Sequence, residues 1–125
     1  MRGGLFKAAM AGDTDTVIQI LSEELDDAVR NKGCNNALIY AALKGQTDTL
    51  RRLCDFGADV NFQGPVTQTT PLMFAARYKH IDVIKYLLSR GADSRLKDNE
   101  GRSAYDFAVC SEDMAIIALL KLERE

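Results

Sequence analysis

The sequence predicts an all-α solenoid of stacked helix-turn-helix units, and three observations carry that expectation. A two-helix pattern returns with a period of about 33 residues, the signature of a repeat architecture. Helix starts and glycine stops recur in register with it: Thr70 and Ser103 lie 33 positions apart, Gly12 and Gly45 also 33, and Gly57 and Gly91 lie 34 apart. Each predicted helix is short, so each unit needs its neighbours to bury an apolar face.

The stretch Thr70–Asp93, TPLMFAARYKHIDVIKYLLSRGAD, shows the unit most fully. Thr70 is placed to cap a helix and Pro71 falls at its first position, where a missing N–H costs nothing. Ala75 and Ala76 keep the inner face small enough for a neighbouring backbone to come close. Tyr78-Lys79-His80 interrupts the apolar pattern before Val83, Ile84, Leu87 and Leu88 define a second helix. Gly91 ends that helix in a left-handed conformation.

The other copies align with this one. Asn36–Ala42 leads to Asp48, Leu50, Leu53 and Gly57-Ala58-Asp59. Leu5–Ala9 and Gly12 lead to Val17, Ile20 and Leu21. Gly101–Ala108 leads to Ile116, Ile117, Leu119 and Leu120.

These motifs, TPLMFAA, GADVN and GAD on a two-helix spacing, resemble the ankyrin-repeat family over nearly the whole chain. The resemblance implies one domain over residues 1–125, with an N-terminal cap at about 1–30, repeats at 31–64 and 65–97, and a C-terminal cap at 98–125. It also implies turn or β-hairpin fingers projecting from the stack. The histidine of the family's TPLH motif is replaced by Phe6, Ile39, Met73 and Asp106. The first copy reads Ser22–Asp27 where a GAD is expected, and the last closes on the polar run Lys121–Glu125, as an outer face requires. An inserted residue between Asn61 and Thr70 predicts a longer finger there.

Composition agrees with this reading: 46% hydrophobic residues in 125 are ample for a shared core. A net charge of −2 offers no bulk attraction to nucleic acid. No charged leader with an apolar run opens the sequence, and no stretch approaches the roughly 20 apolar residues that span a bilayer. A soluble, monomeric, cytoplasmic protein is expected, with the nucleus compatible and membranes excluded as partners.

Three cysteines suit a reducing compartment. Cys54 aligns with Leu88 on a buried helix side, Cys34 is expected in a turn, and Cys110 at the exposed end of a first helix. Their spacing matches no metal site. His80 is the single histidine; the family resemblance implies a structural role for it. The carboxylates Glu23, Glu24, Asp26 and Asp27 lack the spacing and glycine of a calcium loop. Gly3-Gly4 and Gly64-Pro65 form no phosphate-binding pattern. The expectation is a protein with no enzymatic activity, cofactor or metal.

Function then falls to the surface that stacking creates. In the family, partners contact the fingers and the outer ends of the first helices. Carried onto this sequence, that face comprises Lys32 and Asn35 from the second repeat's finger and Leu43 and Lys44 from its first helix. The third repeat adds Phe62, Gln63, Val66, Thr67 and Thr69 with Arg77 and Tyr78, and the fourth Asn99, Glu100 and Arg102 with Cys110 and Ser111. Lys97 lies at the junction. The excess of Lys32, Lys44, Arg77, Lys97 and Arg102 over Glu100 points to an acidic protein partner. The expected function is a protein–protein interaction module: an adaptor, an inhibitor or a recognition domain. The alternative is a nucleic-acid-binding accessory domain using the basic groove, against which stand the net charge and the scarcity of stacking aromatics.

The segment Leu53–Asn61 also resembles the leucine-to-asparagine stretch hydroxylated in some ankyrin repeats, which would make Asn61 the target. The alternative is that Asn61 supplies turn hydrogen bonds.

Overall fold

A computed structural model describes residues 2–24 and 26–124, with the side chains of residues 2 and 122–124 left aside. Among these described residues eight helices follow in pairs: α1 (Arg2–Ala11) with α2 (Thr14–Glu23), α3 (Asp27–Lys44) with α4 (Thr47–Asp55), α5 (Pro71–Arg77) with α6 (Ile81–Ser89), and α7 (Ala104–Ser111) with α8 (Met114–Arg124). The first helices pack in sequence, α1 on α3, α3 on α5 and α5 on α7. The second helices form a parallel layer in which α2 meets α4 and α4 meets α6.

Alanine sets the spacing of the first layer. Ala9, Ala42 and Ala76 are fully buried at equivalent places, while the residue at the same place in the fourth repeat, Val109, is 47% exposed, with no described first helix packed beyond α7. Leucines fill the space between the layers: Leu21, Leu50, Leu53, Leu87 and Leu120 are all sealed from solvent. Burying each contributes about 1.5–3 kcal/mol, which is how helices this short are held.

Local signals explain the boundaries. Thr70 Oγ1 accepts from the Met73 amide at 3.2 Å, and Pro71 opens α5. Ser103 and Asp106 cap α7 reciprocally, the Ser103 amide donating to the Asp106 carboxylate at 2.9 Å. Gly91 takes φ +90°, as its place after α6 requires.

One expectation fails. No finger precedes the second repeat; α3 runs through residues 27–36 as helix, so Cys34 is buried on that helix and lies in no turn. Asp26 caps the early start through bonds to the amides of Ala28 and Val29. Asn36-Ala37 stand where the third repeat has Thr70-Pro71, so nothing forces a helix to begin there. Gly33 stays inside the helix because a Cβ would come within 3.2 Å of Leu5 Cδ2 on α1.

The fingers at residues 58–70 and 92–103 are built of turns, with no strand among the described residues. Of the C-terminal cap, the side chains after Lys121 lie outside the described residues, as does Leu25 in the acidic run after α2.

Candidate interaction surface

The longer finger folds on itself. The Gly64 amide donates to the Thr69 carbonyl at 3.1 Å, the Gln68 amide to the Gly64 carbonyl at 2.9 Å, and the hydroxyls of Thr67 and Thr69 meet at 2.7 Å. Gln63 crosses to the next finger, its Nε2 donating to the Lys97 carbonyl at 2.8 Å and to the Gln68 carbonyl at 3.1 Å. The Asn99 amide returns the link, donating to the Thr67 carbonyl at 2.9 Å. Two fingers are thereby joined edge to edge, with Val66 left 83% exposed at the tip.

The following finger is held by Asp98. Its carboxylate accepts from the amides of Glu100 and Arg102 and from Arg102 Nε, each at 2.9 Å. Burial is the strongest single influence on this carboxyl and pushes its pKa up. The two amides and the guanidinium together outweigh it and hold the carboxyl below its ordinary value. Arg102 also pairs with Glu100 at 2.9 Å and lies over the Phe107 ring.

Of the residues expected on this face, Lys44, Val66, Thr67, Arg77, Tyr78, Lys97, Asn99, Glu100, Arg102 and Cys110 are exposed, and Arg77 lies 5.5 Å from the Tyr78 ring centroid. Thr69 is a correction: it is buried, its hydroxyl meeting that of Thr67 within its own finger. Lys32 and Asn35 are corrections too. Both ride on α3, where Asn35 Oδ1 accepts from the Asp59 amide at 2.8 Å, tying α3 to the turn after α4. Phe62 is half-buried, not exposed on the finger. Leu43 and Ser111 are half-buried, the Ser111 hydroxyl donating to the Ala108 carbonyl. The expected basic excess shrinks, since Arg102 is neutralised by Asp98 and Glu100, while Lys32 is exposed on α3 and not on a finger.

His80 and Asn61 stitch repeats together. His80 Nε2 lies 3.0 Å from the Leu43 carbonyl, so it is the nitrogen that carries the proton. Asn61 uses both ends of its amide, accepting from the Asp93 amide at 2.7 Å and donating to the Gly91 carbonyl at 3.3 Å. Cys34 and Cys54 are buried thiols whose pKa values desolvation pushes up, and the described cysteines are all free. Among the described residues no group of three or more His, Cys, Asp or Glu is placed so that it could hold a metal ion. None of the helices is long and apolar enough to cross a membrane.

Such a stack, with alanine-spaced first helices and hydrogen-bonded fingers, is the architecture of an interaction repeat. A family model for ankyrin repeats in three copies matches residues 5–98 and again 67–124, and the chain belongs to that family, whose members act as protein–protein interaction modules. It is 32% identical over 117 residues to the palmitoyltransferase AKR1 of Lachancea kluyveri, covering 88% of this chain and 15% of that protein. It is 32% identical over 114 residues to the rat ankyrin repeat and SAM domain-containing protein 6, covering 90% of this chain and 13% of that one. The dauer abnormal formation protein 25 of Caenorhabditis elegans is 31% identical over 104 residues, with 83% of this chain and 27% of the relative covered. The chain thus corresponds to a small part of each.

Proposed function

We propose that this chain is a non-catalytic recognition module that binds a partner protein through its finger and first-helix face, with Val66, Arg77 and Tyr78 at the centre of the contact. The observation that carries this is the pair of fingers locked together by Gln63 and Asn99, which present the exposed Val66 on a pre-ordered backbone. A pre-ordered loop forfeits little entropy when it binds. Tyr78, 46% exposed at the end of α5, and Arg77 beside it are of the residue types that dominate interface energetics. Lys44, Arg77 and Lys97 make no ion pair among the described residues and favour an acidic patch on the partner.

The test is affinity capture from the native host, comparing the wild type with a Val66→Asp/Tyr78→Ala variant, followed by calorimetry on the partner that is lost. Arg77→Ala and Tyr78→Ala are each expected to weaken that complex by about 2 kcal/mol. Asp15→Ala, on the exposed side of α2, is expected to leave it unchanged. Silence at both groove positions with loss at Asp15 refutes the assignment. Hydroxylation at Asn61 is proposed alongside; because the amide is engaged at both ends, it requires a locally opened finger, and mass spectrometry after enzyme treatment reads the added oxygen.

A further inference from the structure

The second-helix layer carries a cluster that the finger face does not use. Tyr86 on α6 is half-buried, and two guanidiniums from successive repeats lie within cation–π range of its one ring: Arg51 on α4 at 5.6 Å from the centroid and Arg90, just after α6, at 5.9 Å. Arg90 is positioned further by a bond from Nη2 to the Cys54 carbonyl at 3.4 Å. Arg52 and Lys85 extend the same pair of helices and are exposed, as are Arg51 and Arg90. No ion pair among the described residues uses any of these four cations.

The acids of these helices do not cancel the cluster. Asp48 and Asp82 sit in the first turns of α4 and α6, where each complements the positive end of its helix. Asp55, the last residue of α4, is the one carboxylate among the described residues that bears on Tyr86 itself, and it also lines a hollow with Arg30, Arg52 and Phe56. Around Tyr86, Arg51 and Arg90 outnumber Asp55, and neither guanidinium makes an ion pair among the described residues. An aromatic flanked by arginines is the composition of an interface anchor, and the net positive charge there is complementary to an anionic occupant.

We propose that the outer α4–α6 face centred on Tyr86 is a second docking surface, and that its occupant is an acidic peptide segment whose carboxylates pair with Arg51 and Arg90. The guanidinium fork matches a carboxylate in two-point geometry, and stacking against the ring reduces the freedom each arginine loses on binding. This surface is separate from the fingers, so the module is able to hold two proteins at once.

The experiment is an NMR titration of the full chain with a short glutamate peptide. The amides of Arg51, Arg52, Tyr86 and Arg90 are expected to shift, binding to weaken as salt is raised, and a glutamine peptide of equal length to leave the spectrum unchanged. Arg51→Gln is expected to weaken the peptide at least about tenfold. The Arg51 side chain makes no hydrogen bond among those described, so this variant keeps its fold; Arg90→Gln, which gives up the Cys54 contact, is the secondary variant, read against its own melting curve. Arg77→Gln on the first-helix side is expected to bind the peptide as the wild type does. Equal binding of the glutamine peptide overturns the proposal, as does a loss of less than about twofold in Arg51→Gln, or shifts confined to Lys44, Arg77 and Lys97. Shifts at the same amides with inorganic phosphate but none with the glutamate peptide overturn it too, since the occupant is then a phosphate group.

Discussion

The first two junctions between repeats carry a side-chain bridge at the helix–helix turn that the last one lacks. At the first, Gln46 Nε2 donates back to the Met10 carbonyl at 3.1 Å; at the second, His80 Nε2 does the same to Leu43 at 3.0 Å. Each passes over a glycine with φ above +70°, and a Cβ there would collide with the bridging side chain, 2.4 Å from Gln46 Oε1 at Gly12 and 2.5 Å from His80 Nδ1 at Gly45. The third junction has Asp113 at the equivalent place. Its short carboxylate turns inward to accept from the amides of Ala115 and Ile116 at the start of α8. With no side chain crossing, the left-handed residues there are Lys79 and Glu112, at φ 64° and 61°. That junction is joined at the fingers instead, through Gln63 and Asn99. Glycine is therefore dictated here by a neighbour's reach as well as by φ.

The largest expected effect tests that division. Gly45→Ala adds a Cβ clash to an unfavourable φ and is expected to cost about 2–4 kcal/mol. Gly57→Ala, at φ +95° with nothing within 4 Å of the added carbon, bears the conformational cost alone, about 1–2 kcal/mol. Equal losses in urea melts would show that crowding by His80 is irrelevant.

Next in size is the acid sensitivity of the finger end. Asp98 has its folded pKa lowered, so its contribution is present above the unfolded value of about 4 and lost as pH falls through the folded value beneath it. Asp98→Ala is expected to cost about 2 kcal/mol near neutrality, since it strands two amides and a guanidinium. Its deficit against the wild type should narrow as melts are taken from about pH 5 towards about pH 2. A deficit independent of pH would assign the loss to packing.

Gln63→Ala comes third, at about 1 kcal/mol, for the two carbonyls it leaves to solvent. Hydrogen exchange is expected to quicken in the two fingers and stay unchanged around His80; faster exchange at both ends would mean the junctions are not independent. The smallest effect has the opposite sign: Lys79→Gly relieves a left-handed lysine that nothing requires, and is expected to stabilise by about 0.5 kcal/mol.

The four helix pairs and the ankyrin assignment were legible in sequence, because apolar spacing, the Thr70-Pro71 start and Gly91 act within a few residues of where they are read. Thr70, Pro71, Ala75, Ala76, Leu87 and Gly91 behave in the structure as their local pattern requires. The missing second finger was less legible: Asp26 and the absence of a proline at position 37 signal the longer α3, but alignment to the repeat period overrode them. The burial of Thr69 and the neutralisation of Arg102 by Asp98 depend on how each finger folds back on itself, and the meeting of Arg51 with Tyr86 on a neighbour in another repeat. Sequence by itself determined the repeat and its helices, since those follow from local backbone preference and one period. Tertiary structure decided which charges stay unpaired and how the fingers fold, because those depend on the path of each finger and on contacts between residues that the chain separates by up to about one repeat.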